Sequence, residues 1–360
     1  SLPASLPMVA TWLPLVTPMF RRSVLVLGLT VLGACRSLPT RTSPTAEALP
    51  AHVEALRVVG RVDSVLAPLR VGEGAWAYTL VEAKGPQRSA VLELDLRCNA
   101  LVASKGAATA VGRRTTSALL AAQPASARAI AAINADFFLF APPGVLTNAH
   151  IEQGRVIAGP DSKPVVWVDA AGAVHVDTLR TRGTLRGPSG SLQLNAWNRP
   201  ALRSMGIVDA RWGVPLDTAV RRRVYRLQPL RAPEDGAATR RGRYVVSRGG
   251  PGDTLVFGDT LLLHVVPQTQ WAVQMGDTLT LDIAVRALPV WRDSAGVQLG
   301  IQHAVAGRPI LVRDSVLTAD VNTEGNAGFR GPNPRSALGI SRDGQRAWLV
   351  VMDGRQPSRS

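Results

Sequence analysis

Charged and polar side chains that can take part in chemistry lie in four apolar segments of this 360-residue chain. They are Asp136 in 133–138, His303 in 301–312, Arg335 in 333–340 and Asp353 in 348–356. Carboxyl and imidazole groups can transfer protons, and the planar guanidinium of arginine can bind two oxygens of a phosphate. Each also has a structural interpretation. An Asp-Gly pair often forms a turn, and a lone histidine on an apolar strand is usually structural.

Sequence signals for a metal or a nucleotide cofactor are weak. The five histidines are scattered, and the chain has no Cys-x-x-Cys pair, no P-loop and no Gly-x-Ser-x-Gly elbow. Three Gly-Asp-Thr triplets at 252–254, 258–260 and 276–278 lack the converging carboxylates of a calcium loop, so they predict turns that lead into strands. We predict no metal site and no cofactor, while a divalent metal is not excluded by the sequence.

Short alternating apolar runs predict strands along most of the chain after residue 50. The clearest runs are 75–81, 90–96, 164–168, 260–266 and 347–352. Two short helices are also predicted. One lies at 116–122, after a threonine cap, and the other at 124–131, where a proline stands near the start. This balance predicts an α+β fold with strand-rich mixed sheets and a few short flanking helices.

The composition favours a globular core, because 46% of the residues are hydrophobic. The formal net charge is +15, from 41 basic and 26 acidic residues. Only Lys84, Lys105 and Lys163 are lysines, so 41 − 3 = 38 of the basic residues are arginines. They are spread along the chain without an aromatic-interleaved basic strand or a recognition helix. We therefore predict a solvated basic surface and no nucleic-acid partner.

The N-terminal residues have the pattern of an export leader. Arg21 and Arg22 precede a short apolar run that ends in Leu-Gly-Ala before Cys35, as in the lipobox of bacterial lipoproteins. The run is too short to span a bilayer comfortably. We predict a leader over 1–34, lipidation of Cys35 and an exported protein anchored in the bacterial cell envelope. An ordinary signal anchor with an incidental cysteine is the alternative.

Two further expectations follow from this leader. Translation is predicted to start at Met19, with 1–18 either an over-extended gene start or a genuine apolar preface. Residues 35–50 are predicted to form the lipidated cysteine and a flexible tether to the domain. If the first cysteine is lipidated, Cys98 has no disulfide partner and is predicted to be a small packed residue of a strand.

The four apolar segments, in their order, resemble the phosphodiester glycosidase family. The residues that carry the resemblance are Ile-Asn-Ala-Asp-Phe-Phe at 133–138 with the following 144–157, the run 301–312, Pro-Arg-Ser-Ala at 334–337 and Asp-Gly-Arg-Gln at 353–356. The last two motifs are the more specific. Ala135-Asp136 replaces a glycine pair that is frequent in the family, and 194–200 resembles its Asn-x-x-Arg segment weakly. The resemblance runs from roughly residue 70 to the last residue.

The resemblance implies a domain over 51–360 that hydrolyses a sugar-1-phosphodiester bond in envelope or extracellular glycans. That reaction needs a cation for the phosphate and a carboxylate that activates water or stabilises the oxocarbenium-like centre. The implied catalytic residues are Asp353, Asp136 and His303. The implied substrate-binding residues are Arg335, Asn134, Arg355, Gly354, Phe137 and Arg308.

The roles differ among these residues. Arg335 is the expected phosphate clamp, with a sheet-edge ion pair as the alternative. Asp353 is the preferred candidate for the catalytic carboxylate, and Asp136 is the second candidate. Asn134 either orients a sugar hydroxyl or caps its own loop. Phe137 and the phenylalanine after it alternate sides, so at most one of them can stack on a sugar.

The end of the chain departs from the family pattern. In the family the Asp-Gly-Arg strand precedes a helix and a strand with an Asp-Gly-Gly-Gly-Ser type loop, whereas this sequence stops at Ser360. We expect the domain to lack its C-terminal part, through a truncated gene model, a frameshift or degeneration. The alternative function is a non-catalytic envelope lipoprotein that binds glycan or phosphate. The expected partners are a carbohydrate phosphodiester and, through the lipid anchor, a membrane, while the oligomeric state stays open.

Overall fold

The computed structural model describes Val53 and residues 62–82, 87–141, 144–161, 163–249, 254–289, 298–319, 331 and 333–354. The predicted leader, Cys35, the tether and Arg355 lie outside the described residues. The chain divides into two compact units, of which the first takes its residues from 1–100, 115–134 and 331–360, and the second from 101–114 and 135–330. Among the described residues, no helix has both the length and the apolar character needed to cross a membrane.

The first unit is built on a five-stranded antiparallel sheet. Its strands are β1 (Val62–Gly72), β2 (Ala75–Glu82), β3 (Arg88–Asp95), β21 (Arg335–Ile340) and β22 (Arg346–Met352). They are hydrogen-bonded in the order β1-β2-β3-β22-β21. The central strand β3 is buried at four successive positions, from Val91 to Leu94, so both of its faces are covered. Within this strand, the buried carboxylate of Glu93 accepts a hydrogen bond from the Tyr78 hydroxyl at 3.1 Å.

The helices of the first unit are short and exposed. Helix α1 (Thr116–Ala121) begins after Thr115, whose hydroxyl accepts a hydrogen bond from the Ala118 N–H, and this confirms the first predicted helix. The second predicted helix, at 124–131, is wrong. That segment makes one turn of 3-10 helix (Ala125–Ala127), which ends at Arg128 in the left-handed conformation. No side chain caps the start of this turn, in contrast to the threonine cap of α1.

The second unit is built on a thirteen-stranded sheet with two small hairpins. The sheet strands are β6 (His150–Glu152), β7 (Arg155–Ala158), β8 (Pro164–Asp169), β9 (Val174–Gly187), β10 (Gly190–Leu194), β11 (Ala196–Trp197), β12 (Gly206–Val208), β13 (Arg223–Pro229), β14 (Glu234–Gly236), β15 (Thr239–Gly249), β16 (Leu261–Val265), β17 (Thr278–Leu288) and β18 (Ile301–Ala306). The hairpins are β4 (Phe138–Leu139) with β5 (Val145–Leu146), and β19 (Val312–Arg313) with β20 (Val316–Leu317).

The order of the large sheet is β11-β12-β16-β13-β15-β17-β9-β8-β18-β6-β7, with β10 added to β9 and β14 to β15. The β11–β12 pair is parallel, and the other pairs are antiparallel. The two ends of this order approach each other. Asn198, which follows β11, donates a side-chain hydrogen bond to the carbonyl of Val156 in β7 at 2.8 Å. We call this meeting of β7 and β11 the seam.

Both faces of the large sheet are covered by apolar side chains. All five residues of β16 are buried; Leu261 and Leu263 belong to the main core cluster, and Leu262 belongs to a second cluster with Trp212. The main cluster also contains Trp167 and many of the largest buried side chains. A strand buried on both faces shows a continuous apolar run in its sequence, as Leu261–Leu263 does.

Several sequence predictions can now be judged. The five predicted strands correspond to β2, β3, β8, β16 and β22, and the fold is strand-rich with mixed sheets and very few helices. The triplets at 258–260 and 276–278 form turns that lead into β16 and β17, as predicted, while the first triplet lies mostly outside the described residues.

Cys98 corrects one prediction. It lies beyond the end of β3 in an exposed turn, and it is disulfide-bonded rather than a packed thiol. The strand stops at Asp95 because the carboxylate of Asp95 accepts a hydrogen bond from the Arg97 N–H, which turns the chain. The domain boundaries drawn from the sequence remain predictions.

Candidate functional site

The site residues proposed from the sequence lie in both units. The first unit holds Asn134, Arg335, Asp353 and Gly354, and the second holds Asp136, Phe137, His303 and Arg308. Arg355 lies outside the described residues. Different sheets position the two groups, so each group has its own geometry.

In the first unit, Arg335 and Asp353 stand at the same end of a strand pair. Arg335 opens β21 and pairs with Met352, the last residue of β22. The Asp353 N–H donates to the carbonyl of Arg88 at 3.1 Å, and the Asp353 side chain is exposed. The register therefore brings the backbones of this arginine and this aspartate to the same end of the β21–β22 pair.

Two further predicted residues belong to the same region of the first unit. The Ser336 hydroxyl donates to the side-chain oxygen of Asn134 at 2.6 Å, which ties the 134 loop to β21. Gly354 lies so close to the backbone of Asn333 that a Cβ atom there would collide with it. A glycine is needed at 354 because the two chain segments approach closely.

In the second unit, Asp136 belongs to a connected group of charged and amide side chains. The members of this group, the Asp136 cluster, are Asp136, Asn148, Asp161, Lys163 and Arg199. They come from three stretches of the chain that the second unit brings together. Acidic, basic and amide groups in hydrogen-bond contact can bind an anion and move a proton in one place.

Asn148 is the bridge at the centre of this cluster. Its side-chain nitrogen donates to Oδ2 of Asp136, and its side-chain oxygen accepts from the Lys163 ammonium at 2.6 Å. Asn148 is only 3% exposed, so both of its contacts are shielded from water. Its amide therefore fixes the distance between the carboxyl of Asp136 and the nearest cation.

Asp161 joins the two cations of the cluster. Its Oδ2 lies 3.1 Å from the Lys163 ammonium and 3.0 Å from Nη2 of Arg199. Side-chain exposures of 20–30% for these three residues leave each of them partly open to solvent. Two cations held at one carboxylate are arranged to receive further oxygen ligands on their open sides.

The seam of the large sheet assembles this cluster. Asp161 and Lys163 lie in the loop between β7 and β8, and Arg199 follows β11. Strands β7 and β11 are the two ends of the sheet order, so only their approach at the seam brings Asp161 to Arg199. The two partners are 38 positions apart in the sequence, so local sequence patterns do not reveal their contact.

Gly159 allows the loop after β7 to reach β11. A Cβ atom at this position would lie far inside contact distance of the Trp197 carbonyl oxygen. Backbone atoms cannot move aside as a flexible side chain would, so the close approach requires glycine.

Gly159→Ala is therefore expected to open the seam. We expect the free energy of unfolding to fall by about 1–3 kcal/mol, the range typical of overpacking. A denaturant melt measures this effect. Gly236→Ala is the matched control, because a Cβ there meets nothing within 4 Å, and it should change stability by less than about 0.5 kcal/mol. Equal effects of both substitutions would contradict the proposed close contact.

Burial sets the electrostatics of the cluster. It raises the pKa of Asp136, while hydrogen bonds from the Phe137 N–H and Asn148 and the charge of Lys163 partly oppose the increase. Burial also lowers the pKa of Arg199, against the charges of Asp161 and Asp136, but a guanidinium stays protonated in proteins. With Asp136 ionised the four charges sum to zero. With Asp136 protonated the cluster carries +1, which suits a monoanionic ligand.

His303 contacts a different group of residues in the second unit. Its Nδ1 faces the backbone N–H groups of Ala103, at 3.3 Å, and Gln153, at 3.5 Å. Next to it, Glu152 accepts hydrogen bonds from His150 Nε2, at 2.8 Å, and from the backbone of Lys105. Burial lowers the pKa of His303, which favours the neutral ring that can accept these bonds. The contacts fit a structural role that holds the 101–105 segment on the sheet.

Phe137 is a chain neighbour of the cluster, and the backbone before Arg308 lies near the cluster in space. Phe137 follows Asp136 directly; its side chain is 55% exposed, and its carbonyl accepts from the Thr147 hydroxyl at 2.7 Å. Arg308 is exposed and follows Gly307, whose N–H donates to the carbonyl of Pro164 at 3.1 Å. That bond places the backbone before Arg308 beside the residue after Lys163.

Most of this cluster has no distinctive sequence signal. Asn148, Asp161 and Lys163 stand in no motif of the predicted site, and Arg199 lies within the segment 194–200, whose likeness to the family is weak. One signal was available, since Lys163 is among only three lysines in an arginine-rich chain. Among the described residues, no group of three or more His, Cys, Asp or Glu is arranged to hold a metal ion.

Comparison with known proteins supports part of the sequence interpretation. Residues 236–360 match the phosphodiester glycosidase family, which confirms the resemblance over that part of the chain. The match contains Arg335 and Asp353. It begins at residue 236 and therefore does not include the Asp136 cluster. A search of curated proteins gave no match to the chain.

One solved structure shares the fold. It is described as the crystal structure of a hypothetical protein from Synechocystis, and it superposes with a TM-score of 0.59 at 18% sequence identity. The alignment covers 80% of this chain and 52% of that protein, so this chain spans about half of its length. At this identity the likeness concerns the fold alone.

Proposed function

We propose that this protein hydrolyses a glycosyl phosphodiester, breaking the bond between the sugar anomeric carbon and the phosphate oxygen, at the Asp136 cluster. The observation that carries the proposal is the hydrogen-bonded path from a partly buried carboxyl, through Asn148, to two cations. The family match over 236–360 supports the reaction class. A glycan of the cell envelope or the extracellular space is the proposed source of the substrate.

Lys163 and Arg199 are the proposed phosphate ligands. A phosphodiester carries one negative charge, and the cluster offers one positive charge when Asp136 is protonated. Arginine presents a planar pair of donors to phosphate oxygens, and lysine presents a compact charge. The bound anion would in turn favour the protonated form of Asp136, because the two negative charges repel. Binding of the substrate therefore prepares the acid form of the site.

Asp136 is the proposed proton donor and acceptor. As the anomeric C–O bond breaks, its electron pair leaves with the phosphate oxygen, and Asp136 gives that phosphate its proton. A water then forms the new bond to the anomeric carbon, and the Asp136 carboxylate takes the proton that this water loses. The products are a free sugar and a phosphomonoester monoanion, and the enzyme returns to its starting state.

A turnover assay on defined substrates tests this function. Wild-type protein is incubated with glucose, N-acetylglucosamine and mannose 1-(methyl phosphate) diesters of both anomeric configurations, and phosphorus NMR follows methyl phosphate. Formation of methyl phosphate with an equal amount of sugar from at least one diester supports the proposal. Binding of the diesters without turnover would favour the alternative of a glycan- or phosphate-binding protein, and the absence of both would contradict either function.

We also propose that the protein is exported. Cys98 is disulfide-bonded, and disulfides persist in oxidising compartments outside the cytosol. The chain has two cysteines, and lipidation would modify the sulfur of Cys35. Mass spectrometry of the Cys35 peptide from envelope fractions distinguishes a diacylglyceryl thioether from a disulfide, and a free thiol in a cytosolic fraction would contradict export.

A further inference from the structure

Arg199 is held from both sides by residues that lie outside the Asp136 cluster. On its N-terminal side stands Asn198, which is 0% exposed. On its C-terminal side, the carbonyl of Pro200 accepts a hydrogen bond from Nη2 of Arg222 at 3.1 Å. The backbone on each side of Arg199 is therefore fixed, although the arginine itself is only partly buried.

Asn198 uses its whole amide side chain across the seam. Its side-chain nitrogen donates to the carbonyl of Val156 at 2.8 Å and to Oδ1 of Asp209 at 2.9 Å. Its side-chain oxygen accepts from the Asp209 N–H at 2.8 Å, and its own N–H donates to the carbonyl of Ile207 at 2.9 Å. One residue thus connects the end of β11 to β7 and to the residue that follows β12.

The backbone of Asn198 also suits this location. Its φ of 50° lies in the left-handed region, where asparagine and glycine are favoured over other residues. The turn sends the chain away from β11 and places Arg199 beside the loop that carries Asp161. The side-chain contacts and the backbone turn therefore act on the same point of the chain.

The partner of Asn198 is itself rigidly held. Asp209 is 3% exposed, and its Oδ2 lies 2.6 Å from Arg211 and 3.3 Å from Arg240. The same oxygen accepts from the indole N–H of Trp197 at 3.1 Å. The charges of the arginines hold the pKa of Asp209 below its usual range despite the burial that opposes this. Asn198 is thus anchored to an ionised, fully surrounded carboxylate.

We propose that Asn198 is a positioning residue of the proposed phosphate site, with Arg222 as its support on the other side of Arg199. The inference rests on the proposed function and concerns how the site acquires its affinity. The side-chain hydrogen bonds of Asn198 connect β7 to β11 and thereby set the separation of Arg199 from Asp161 and Lys163. Without these hydrogen bonds the two cations are no longer held close together. A phosphate can then contact both only if part of its binding free energy is used to bring β7 and β11 together.

The test compares Asn198→Gly with wild type. Glycine adopts the left-handed turn readily and removes only the side-chain hydrogen bonds. The backbone strain of an alanine substitution is therefore avoided. We expect kcat/KM to fall roughly 10- to 100-fold, as small displacements of binding groups do. We expect the loss to appear mainly in KM, with a parallel weakening of inorganic phosphate binding measured by calorimetry on the full chain. Arg222→Gln should shift phosphate affinity in the same direction.

Leu279→Ala is the matched control for stability. Leu279 is a fully buried residue of β17, in the middle of the sheet order and away from the seam. Both variants should lower the melting temperature, but only Asn198→Gly should weaken phosphate binding. If Asn198→Gly binds phosphate as wild type does while its stability falls like that of Leu279→Ala, the residue is merely structural and the inference is wrong. If wild type binds no phosphate, the proposed function fails and this inference fails with it.

Discussion

Replacing Asp136 by asparagine is expected to slow turnover strongly and to increase the free energy of unfolding at neutral pH. Asparagine keeps the shape and the hydrogen bond from Asn148 but cannot transfer a proton, so the rate should fall by about 100- to 10,000-fold. Burial raises the pKa of Asp136, so the ionised carboxylate is disfavoured in the folded state. Turnover measurements and denaturant melts at pH 7 report the two effects.

The raised pKa of Asp136 also determines how the stability of the wild-type protein changes with pH. A carboxyl with a raised folded-state pKa stabilises the fold at acidic pH, below its unfolded value, and that contribution is lost as the pH rises through the folded value. Wild type should therefore gain stability relative to Asp136→Asn as the pH falls toward the ordinary aspartate range. Activity that depends on the protonated form should decrease in the alkaline direction.

Asp343→Asn is the control for this prediction. Hydrogen bonds from Ser341 and from the Gln345 N–H lower the pKa of Asp343, so its ionised form favours the fold. The effect on stability is therefore opposite to that of the Asp136 substitution. Asp343→Asn should slightly lower the free energy of unfolding at pH 7, and turnover should be retained. An active Asp136→Asn variant, or an inactive Asp343→Asn variant, would place the chemistry elsewhere.

Lys163→Met is expected to weaken binding and turnover together. The substitution removes the cation that faces both Asn148 and Asp161, so the cluster carries one positive charge less and attracts the phosphate more weakly. We expect kcat/KM to fall about 100-fold or more, the size found when one preorganised electrostatic contact is removed. Initial rates against substrate concentration, together with phosphate titration, measure the effect.

The control for Lys163→Met removes an equal charge at the surface of the same unit. Arg241 is 58% exposed and pairs with Asp282 at 3.2 Å. Exposed ion pairs contribute little to stability, so Arg241→Met should leave both stability and activity close to wild type. Equal losses in the two variants would mean that net charge, rather than the cluster, attracts the anion.

The strands could be predicted from the sequence because the burial of their side chains determines how apolar residues are spaced along it. The run Leu261–Leu263 is apolar at every position because both faces of β16 are covered, and the apolar run 75–81 forms most of β2. Helix α1 carries a threonine cap that is visible in the sequence. The segment 124–131 has no side-chain cap at its start and turns into the left-handed conformation at Arg128, so only one turn forms.

The site could be predicted only in part because its contacts are not local. Asp136 was recognised from its motif, but Arg199 meets Asp161 only because β7 and β11 close the sheet order at the seam. Sequence patterns specify which face of a strand is buried, and they do not specify which two strands end up at the seam. Asn198 was missed for the same reason, since its left-handed turn and its contact with Val156 depend on that closure. The roles assigned to Arg335 and Asp353 remain predictions.

The central claim is that the bond broken lies between carbon and oxygen rather than between phosphorus and oxygen. Hydrolysis of the best sugar 1-(methyl phosphate) diester in oxygen-18 water tests it directly, with the phosphomonoester read by the isotope shift of its phosphorus NMR signal. The account predicts a methyl phosphate without label, because water attacks the anomeric carbon. Label in the methyl phosphate would contradict it, since water would then have attacked phosphorus, as in a phosphodiesterase.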